Sequence, residues 1–564
     1  MARSRPQVLL TLLGLIVLVA GVAYISYQVA TVEVPVEGGT YVEGVAGNPR
    51  AINPILSHAN PVDQDVVSLV FTGLVRAETD GTIVPDLAQS WEISPDETIY
   101  TFYLRRDVIW HDGAPFTADD VVYTLTAIQD PDYAGATFLA EMWRDVVIQK
   151  LDAYTVRFVL REPFTPFLDY ATVGMLPAHI LGGVTAGDLP NATFNAAPIG
   201  TGPWKIEQVS ARSLSLIPHH DYYRAEDSEG PYLERITFRF YPSLPAVYEA
   251  YNRGQIAGIS RVLPEHLEFI RQDNDLTLYS APLSGYTLVF LNLDRAVFQD
   301  RAVRQAIMWA LDRQAMVDEI LLGQGIVLDT PVLSTSWAFD ADTPTYQHDP
   351  QRARAILEDA GWVDLDQDGI RSRGALQLEF TLATNEGDPA RLALIERISD
   401  QLAQVGIVAH PEVVPWEELI QDRLRLGQFD AILGGWESLP PDPDPYIYWH
   451  STQVSEDGLN FAGYINPEAD RLIETARSTT DIALRRDLYY RFQRLFVDDV
   501  PAVLLYQPVY SYAIDSHMQG VQIGPTIDGS DRLNTSLDWY METKRVFYAE
   551  AREMGIDYQL PWDR

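Results

Sequence analysis

Residues 85–125 read PDLAQSWEISPDETIYTFYLRRDVIWHDGAPFTADDVVYTL. Within them Thr98–Leu104 alternates as a strand does, and Asp112-Gly113 marks a turn. Thr117 stands where a helix N-cap belongs, with Asp119 and Asp120 in the first turn, so a helix is predicted over Thr117–Ala127. The flanks repeat this mixture. Upstream, Gly38–Arg50 alternates and ends in the Gly47-Asn48-Pro49 turn, Ala51–Pro61 reads as a loop, and Val62–Leu74 keeps helical spacing. Downstream, Val303, Ile307, Ala310, Leu311 and Met316 predict one helix over Arg301–Val317. Leu394, Ile398 and Leu402 predict another over Leu392–Val405, capped by Gly406, and Leu376–Leu382 reads as a strand. Strands alternating with such helices argue an α/β chain with crossover connections.

At 564 residues the chain exceeds what one core supports, so two or more lobes are expected. Apolar residues at 47% and charged residues at 21% describe a globular protein. With 41 basic against 79 acidic side chains the net charge is −38, which argues against nucleic acid as a partner. The absence of cysteine excludes disulfides, thiolate metal sites, a cysteine nucleophile and a lipid anchor on an N-terminal cysteine. The ten histidines form no H-x-x-x-H or H-E-x-x-H pair, and His219-His220, read as strand neighbours, point apart. Neither a G-x-S-x-G elbow nor a phosphate-cradling Gly-Lys-Ser/Thr is present. Asp364, Asp366, Asp368 and Gly369 have the spacing of a calcium loop, but Ala375 stands where its bidentate glutamate belongs. A turn built by aspartate side chains accounts for the same residues. No catalytic residue, metal or cofactor is expected, and the chain is read as a non-enzyme. A hydrolytic enzyme and a receptor ectodomain are the remote alternatives.

Residues 429–451 read FDAILGGWESLPPDPDPYIYWHS. A short strand, Ala431–Leu433, is predicted to break at Gly434-Gly435, and prolines at 440, 441, 443 and 445 predict an extended loop beyond. That loop carries Trp436, Tyr446, Tyr448 and Trp449, which suit either a ligand-cleft wall or packing on a neighbouring lobe.

At the N-terminus, Arg3 and Arg5 precede an uncharged run from Pro6 to Val32, an export signature. The run is about long enough to span a bilayer, and Gly21-Val22-Ala23 offers a cleavage site instead. An uncleaved anchor is expected, followed by a tether over Val32–Glu43 and an extracytoplasmic body that is not a lipoprotein. Met541–Met554 predicts one more amphipathic helix.

Residues 85–125 resemble the signature of the extracytoplasmic solute-binding proteins of family 5. These are the dipeptide- and oligopeptide-binding components of ABC importers and their relatives. The family's proline-leucine-Trp lead, its D…YTF.LR and its DG.P.TA.DV are all present. Pro198–Trp204 resembles its GTGPY turn, with Trp for the usual Tyr, and Leu288–Arg313 its N…D.RVRQAI..A.DR helix. Ala355–Trp362, Asn460–Asp470 and Arg485–Pro501 resemble three further blocks in the family's order, so the resemblance spans about residues 38–542.

The resemblance implies a two-lobed, hinged periplasmic-binding-protein-like α/β fold of type II, with an extra subdomain in the first lobe. The implied division is anchor and tether over 1–37, lobe 1 over 38–288 with its subdomain at about 80–195, and lobe 2 over 289–505. A return to lobe 1 over 506–542 and a C-terminal extension over 543–564 complete it. It further implies a monomer that delivers an oligopeptide, or alternatively an oligosaccharide, to ABC permease subunits. By the family pattern Trp436, beside Gly435, lies on the cleft wall with Trp416 close by. Peptide-binding members carry an aspartate three residues after the Trp436 position, which pairs with the peptide ammonium; here that residue is Leu439. Glu437 and Asp442 are the acids that could replace it, and the simpler implication is a ligand other than a free-amino peptide. Tyr286 and Asn460 complete the candidate lining.

Overall fold

The computed structural model describes residues 5–78, 82–224, 231–455 and 458–553. The stretch quoted first folds as its caps dictate. Thr117 closes a reciprocal capping box with Asp120 at the start of the helix Ala118–Gln129. Ile99–Leu104 pairs antiparallel with Ala88–Ile93 and Thr155–Val159, and Val147–Asp152 completes a four-stranded sheet. Trp143, Phe158 and Phe167 pack edge-on beneath it, with centroids 5.2–5.8 Å apart.

A second, twelve-stranded sheet joins the two lobes through one long strand, Ala502–Asp515. Its first residues pair antiparallel with Gly285–Leu291, and residues 509–515 pair with Leu276–Pro282. Beyond it the first lobe adds Gly258–Ile259, Thr40–Ala46, Arg235–Tyr241, Ser213–Pro218 and Trp204–Val209. The second lobe adds Ala431–Glu437, Glu379–Asn385 and Val408–Val414, the last two parallel. The apolar cores divide the same way. One cluster draws on Tyr41–Phe238 and Tyr510–Trp539, and two others on Tyr286–Tyr506. Each lobe therefore keeps its own core and can move as a body without exposing it.

Several elements depart from the sequence reading, each for a local reason. The stripe over Arg301–Val317 forms two helices, Arg301–Ala310 and Arg313–Glu319. Leu311 turns extended between them, and the Asp312 carboxylate caps the second by accepting from the Ala315 N–H. The strand over Leu376–Leu382 is split into Leu376–Gln377 and Glu379–Asn385. Gly434-Gly435 do not end their strand, which runs Ala431–Glu437 along Gly285–Leu291. The glycine serves close approach instead, since a β-carbon at Gly435 would lie 2.4 Å from the Tyr286 carbonyl oxygen. Tyr446–Trp449 is one helical turn rather than loop, with the prolines ahead of it where helix starts tolerate them. His219 lies just past the strand Ser213–Pro218 and meets His111 edge-on at 4.8 Å. Burial lowers both imidazoles, His111 to about 4, so the pair stays neutral.

The chain ends differ most. Arg5–Ala30 is one 26-residue helix; counting the described residues alone, no helix is long and apolar enough to cross a membrane. Thr31–Pro35, expected as tether, pairs along its whole length with Thr543–Phe547, expected as helix; only Tyr548–Glu553 is helical there. Val32, Val34 and Val546 alternate onto one face and bury together with Ala551, so the two-residue period prevails over the helical one.

Candidate functional site

A cleft open to solvent lies between the lobes. The second lobe supplies the loop Leu439–Pro445, Tyr448 and Trp449 from the turn behind it, Tyr286, and the segment Pro331–Trp337. The first lobe supplies Glu78 and Pro525-Thr526-Ile527, with Pro282 and Ser284 at the crossing. Ser438, in the left-handed region at φ 56°, turns the end of its strand into the proline-rich loop. Ser284 then fastens the loop from both sides. Its carbonyl accepts from the Leu439 N–H at 3.0 Å, and its hydroxyl donates to the Leu439 carbonyl at 2.9 Å.

Ion pairs fix the rest of the loop. Arg485 donates to both oxygens of Asp442, at 2.5 and 2.6 Å, and also to the Ala476 carbonyl and the Tyr489 hydroxyl. Burial alone would lower the Arg485 pKa, but the Asp442 charge overrides it and raises it. Asp444 lies 2.9 Å from Arg477 and Glu78 pairs with Arg76. Burial raises Asp444 despite Arg477. The lobes also touch directly beside the cleft. The Thr165 N–H donates to the Arg477 carbonyl at 3.0 Å, its hydroxyl donates to the Thr479 carbonyl at 3.0 Å, and the Arg477 guanidinium lies 4.8 Å from the Phe164 ring.

Of the residues expected at the site, Tyr286, Leu439 and Asp442 line the cleft. Tyr286 is buried, which raises its phenol pKa, and its hydroxyl accepts from Trp449 Nε1 at 3.3 Å. Trp436 is off the lining and inside an aromatic cluster, stacked on Phe461 at 5.3 Å and tilted against Tyr448 at 4.8 Å. Its indole N–H has no hydrogen-bond partner among the described residues. Gly435 and exposed Glu437 are likewise off the lining, and Trp416, 56% exposed, is on open surface. Asn460 is buried and structural. Its amide donates to the His450 and Tyr464 carbonyls, and its oxygen accepts from the Tyr464 N–H. The aspartates of the calcium-like loop are exposed with oxygens within 4.8 Å of one another. Asp364 and Asp368 accept from the N–H groups of Gly369 and Ile370, as a turn requires.

Sequence reasoning missed Trp337, the partners Arg485 and Arg477, and the Pro525–Ile527 segment. Trp337, in a Pro- and Ser/Thr-rich loop, carried a signal of the same kind as Trp436. The arginines carried none, because their acids lie far away in sequence.

The profile of the bacterial extracellular solute-binding proteins, family 5 Middle, matches residues 82–457. The chain is 30% identical over 504 residues to the oligopeptide-binding protein AppA of Bacillus subtilis, covering 88% of this chain and 91% of the relative. It is 26% identical to the dipeptide-binding protein of Escherichia coli, covering 89% and 95%. Among solved structures, AppA from Bacillus subtilis in complex with a nonapeptide superposes with a TM-score of 0.73 at 28% identity, over 90% of this chain and all of that one. NikZ from Campylobacter jejuni in complex with Ni(L-His) gives 0.73 at 26% identity, over 89% and 99%. A profile matching well over half the chain, and relatives matched nearly end to end, agree with the two-lobed architecture: the chain belongs to family 5 of the bacterial extracellular solute-binding proteins.

Proposed function

We propose that this protein captures a peptide or other small polar solute between its lobes and delivers it to the permease of an ABC importer. The observation that carries this reading is the cleft itself, lined from both lobes while each lobe keeps a separate core. A solute touching both sides favours the closed arrangement by its differential affinity for it. Moving the lobes from 1:99 to 99:1 closed takes a preference of about ten-thousandfold, or about 5.5 kcal/mol. Trp337, Tyr448 and the prolines offer rigid apolar area for it at little rotamer cost.

The chain is read as lobe 1 over 38–288 and 506–542, including a subdomain at about 80–195, and lobe 2 over 289–505; the separate cores support this division, with Tyr286, Leu288 and Tyr506 at the crossings packing into the second lobe. The helix Arg5–Ala30, its apolar run following Arg3 and Arg5, is read as an export segment that leads the body out of the cytoplasm. Exposed Leu12, Ile16 and Val19 along it support that reading. The test of function is native mass spectrometry of the full chain from its own cells, with release of whatever co-purifies. A stoichiometric small solute, lost in a Trp337→Ala, Tyr448→Ala variant, is the expected result. A solute retained unchanged by that variant would contradict the cleft as its site.

A further inference from the structure

Three carboxylates line the cleft, and each has a guanidinium beside it: half-exposed Glu78 that of Arg76, Asp444 that of Arg477 as a close ion contact, and Asp442 that of Arg485 through two hydrogen bonds. The last pair is the most enclosed, with the side chains of Arg485 and Asp442 only 4% and 9% exposed. Arg485 cannot swing aside easily. It is hydrogen-bonded to the Ala476 carbonyl and the Tyr489 hydroxyl, and its guanidinium lies 5.4 Å from the Trp337 ring and 5.3 Å from that of Tyr489. Parting such a buried pair leaves a charge without a partner, so the ligand meets Asp442 already neutralised. One further carboxylate, Asp169, stands beside Asp442. Burial, reinforced by the Asp442 charge, pushes it up to about 8, so it too is neutral at pH 7. Among the described residues no lysine, arginine or histidine lines the cleft directly; the remaining lining is proline, aliphatic, aromatic and hydroxyl side chains.

We propose that the cleft selects solutes whose enclosed end is uncharged, with N-acylated oligopeptides as the matching peptide class. Arg485 is the positioning residue that sets this preference by holding Asp442 away from the ligand. The inference rests on the cleft being the binding site. An enclosed ammonium would find no free carboxylate there, whereas an acylated end presents only amide and apolar groups, which the hydroxyls and rings accept.

The test is a competition on the full chain in detergent at pH 7 between two hexapeptide libraries of the same sequences. One library has free amino termini and the other N-acetylated termini, and retained masses are counted by native mass spectrometry. Enrichment of the acetylated library by at least about tenfold is expected. Equal retention, or preference for the free amines, overturns this inference and leaves the proposed function standing. Retention of neither library also overturns this inference, and the proposed function then stands or falls on the solute that co-purifies from the protein's own cells. Two variants read out the role of Arg485: Arg485→Gln unmasks Asp442, and Leu439→Asp adds an unpaired carboxylate to the lining while leaving the Arg485 contacts intact. Each is expected to move the preference at least about tenfold toward free amines, a ratio that a purely structural role for Arg485 would not change. An unchanged ratio in Leu439→Asp overturns the charge-matching argument even if Arg485→Gln does not fold.

Discussion

At the scale of single residues, the aromatic side chains show how far sequence reaches. A tryptophan after paired glycines says that a large apolar surface needs cover, and nothing local says what covers it. Trp436 is covered by Phe461 and Tyr448 of its own lobe, while Trp337 faces the cleft. Gly435 was legible as a special backbone position, but its reason is a neighbouring strand rather than a chain break. Gly435→Ala places a β-carbon against the Tyr286 carbonyl, and the strands must part to admit it. The expected loss is about 1–3 kcal/mol, read as a lower urea midpoint with unchanged slope. Trp449→Phe removes the donor to the Tyr286 hydroxyl and is expected to cost about 0.5–1.5 kcal/mol beyond its packing change, by the same measurement.

At the scale of elements, local periodicity fixed what was locally determined. The N-cap at Thr117 and the Gly406 cap, at φ 82°, form as read. Elements that depend on a distant partner were misread. Thr31–Pro35 is a strand only because Thr543–Phe547, at the opposite end of the chain, lies against it, and Arg545 adds an ion pair to Glu33 at 3.0 Å. Removing residues 543–564 should therefore free the segment at 31–36, and limited proteolysis there should accelerate without loss of the body's cooperative unfolding. Unchanged cleavage would mean that the ribbon contributes nothing to holding that segment. The buried triad of Arg532 with Glu43 and Asp65 is another long-range element, joining the returning chain to the first strand and helix of lobe 1. Arg532→Met strands two buried carboxylates and is expected to lower stability by about 3–5 kcal/mol in denaturant unfolding.

At the scale of the whole molecule, ordered sequence blocks pointed to the family, and the length of 564 residues anticipated two or more lobes. The cleft was less legible, because its lining comes from segments scattered between residues 78 and 527. Closure should also carry a pH dependence of known sign. Asp169 of lobe 1 faces Asp442 and Arg485 of lobe 2, with Asp444 and Arg477 next to them, and its carboxyl is raised to about 8 where the lobes meet. A raised carboxyl favours the protonated form, so this contact is complete below about pH 4 and is lost as pH rises through about 8. The ligand-free chain should thus have a larger scattering radius at pH 9 than at pH 6, and Asp169→Asn should flatten that change. A radius independent of pH in the parent chain would contradict it.

The central claim is that a solute closes the two lobes on itself. Because the chain has no cysteine, spin labels can be placed on Val209→Cys in lobe 1 and Val413→Cys in lobe 2, both exposed, with no background labelling. Pulsed electron–electron distances would then be measured on the stripped protein and after adding back the solute released from the native complex. The account predicts a broad distribution with a longer component in the stripped protein, narrowing to a single shorter distance on addition. Identical distributions in the two samples, with the solute demonstrably bound, would contradict it.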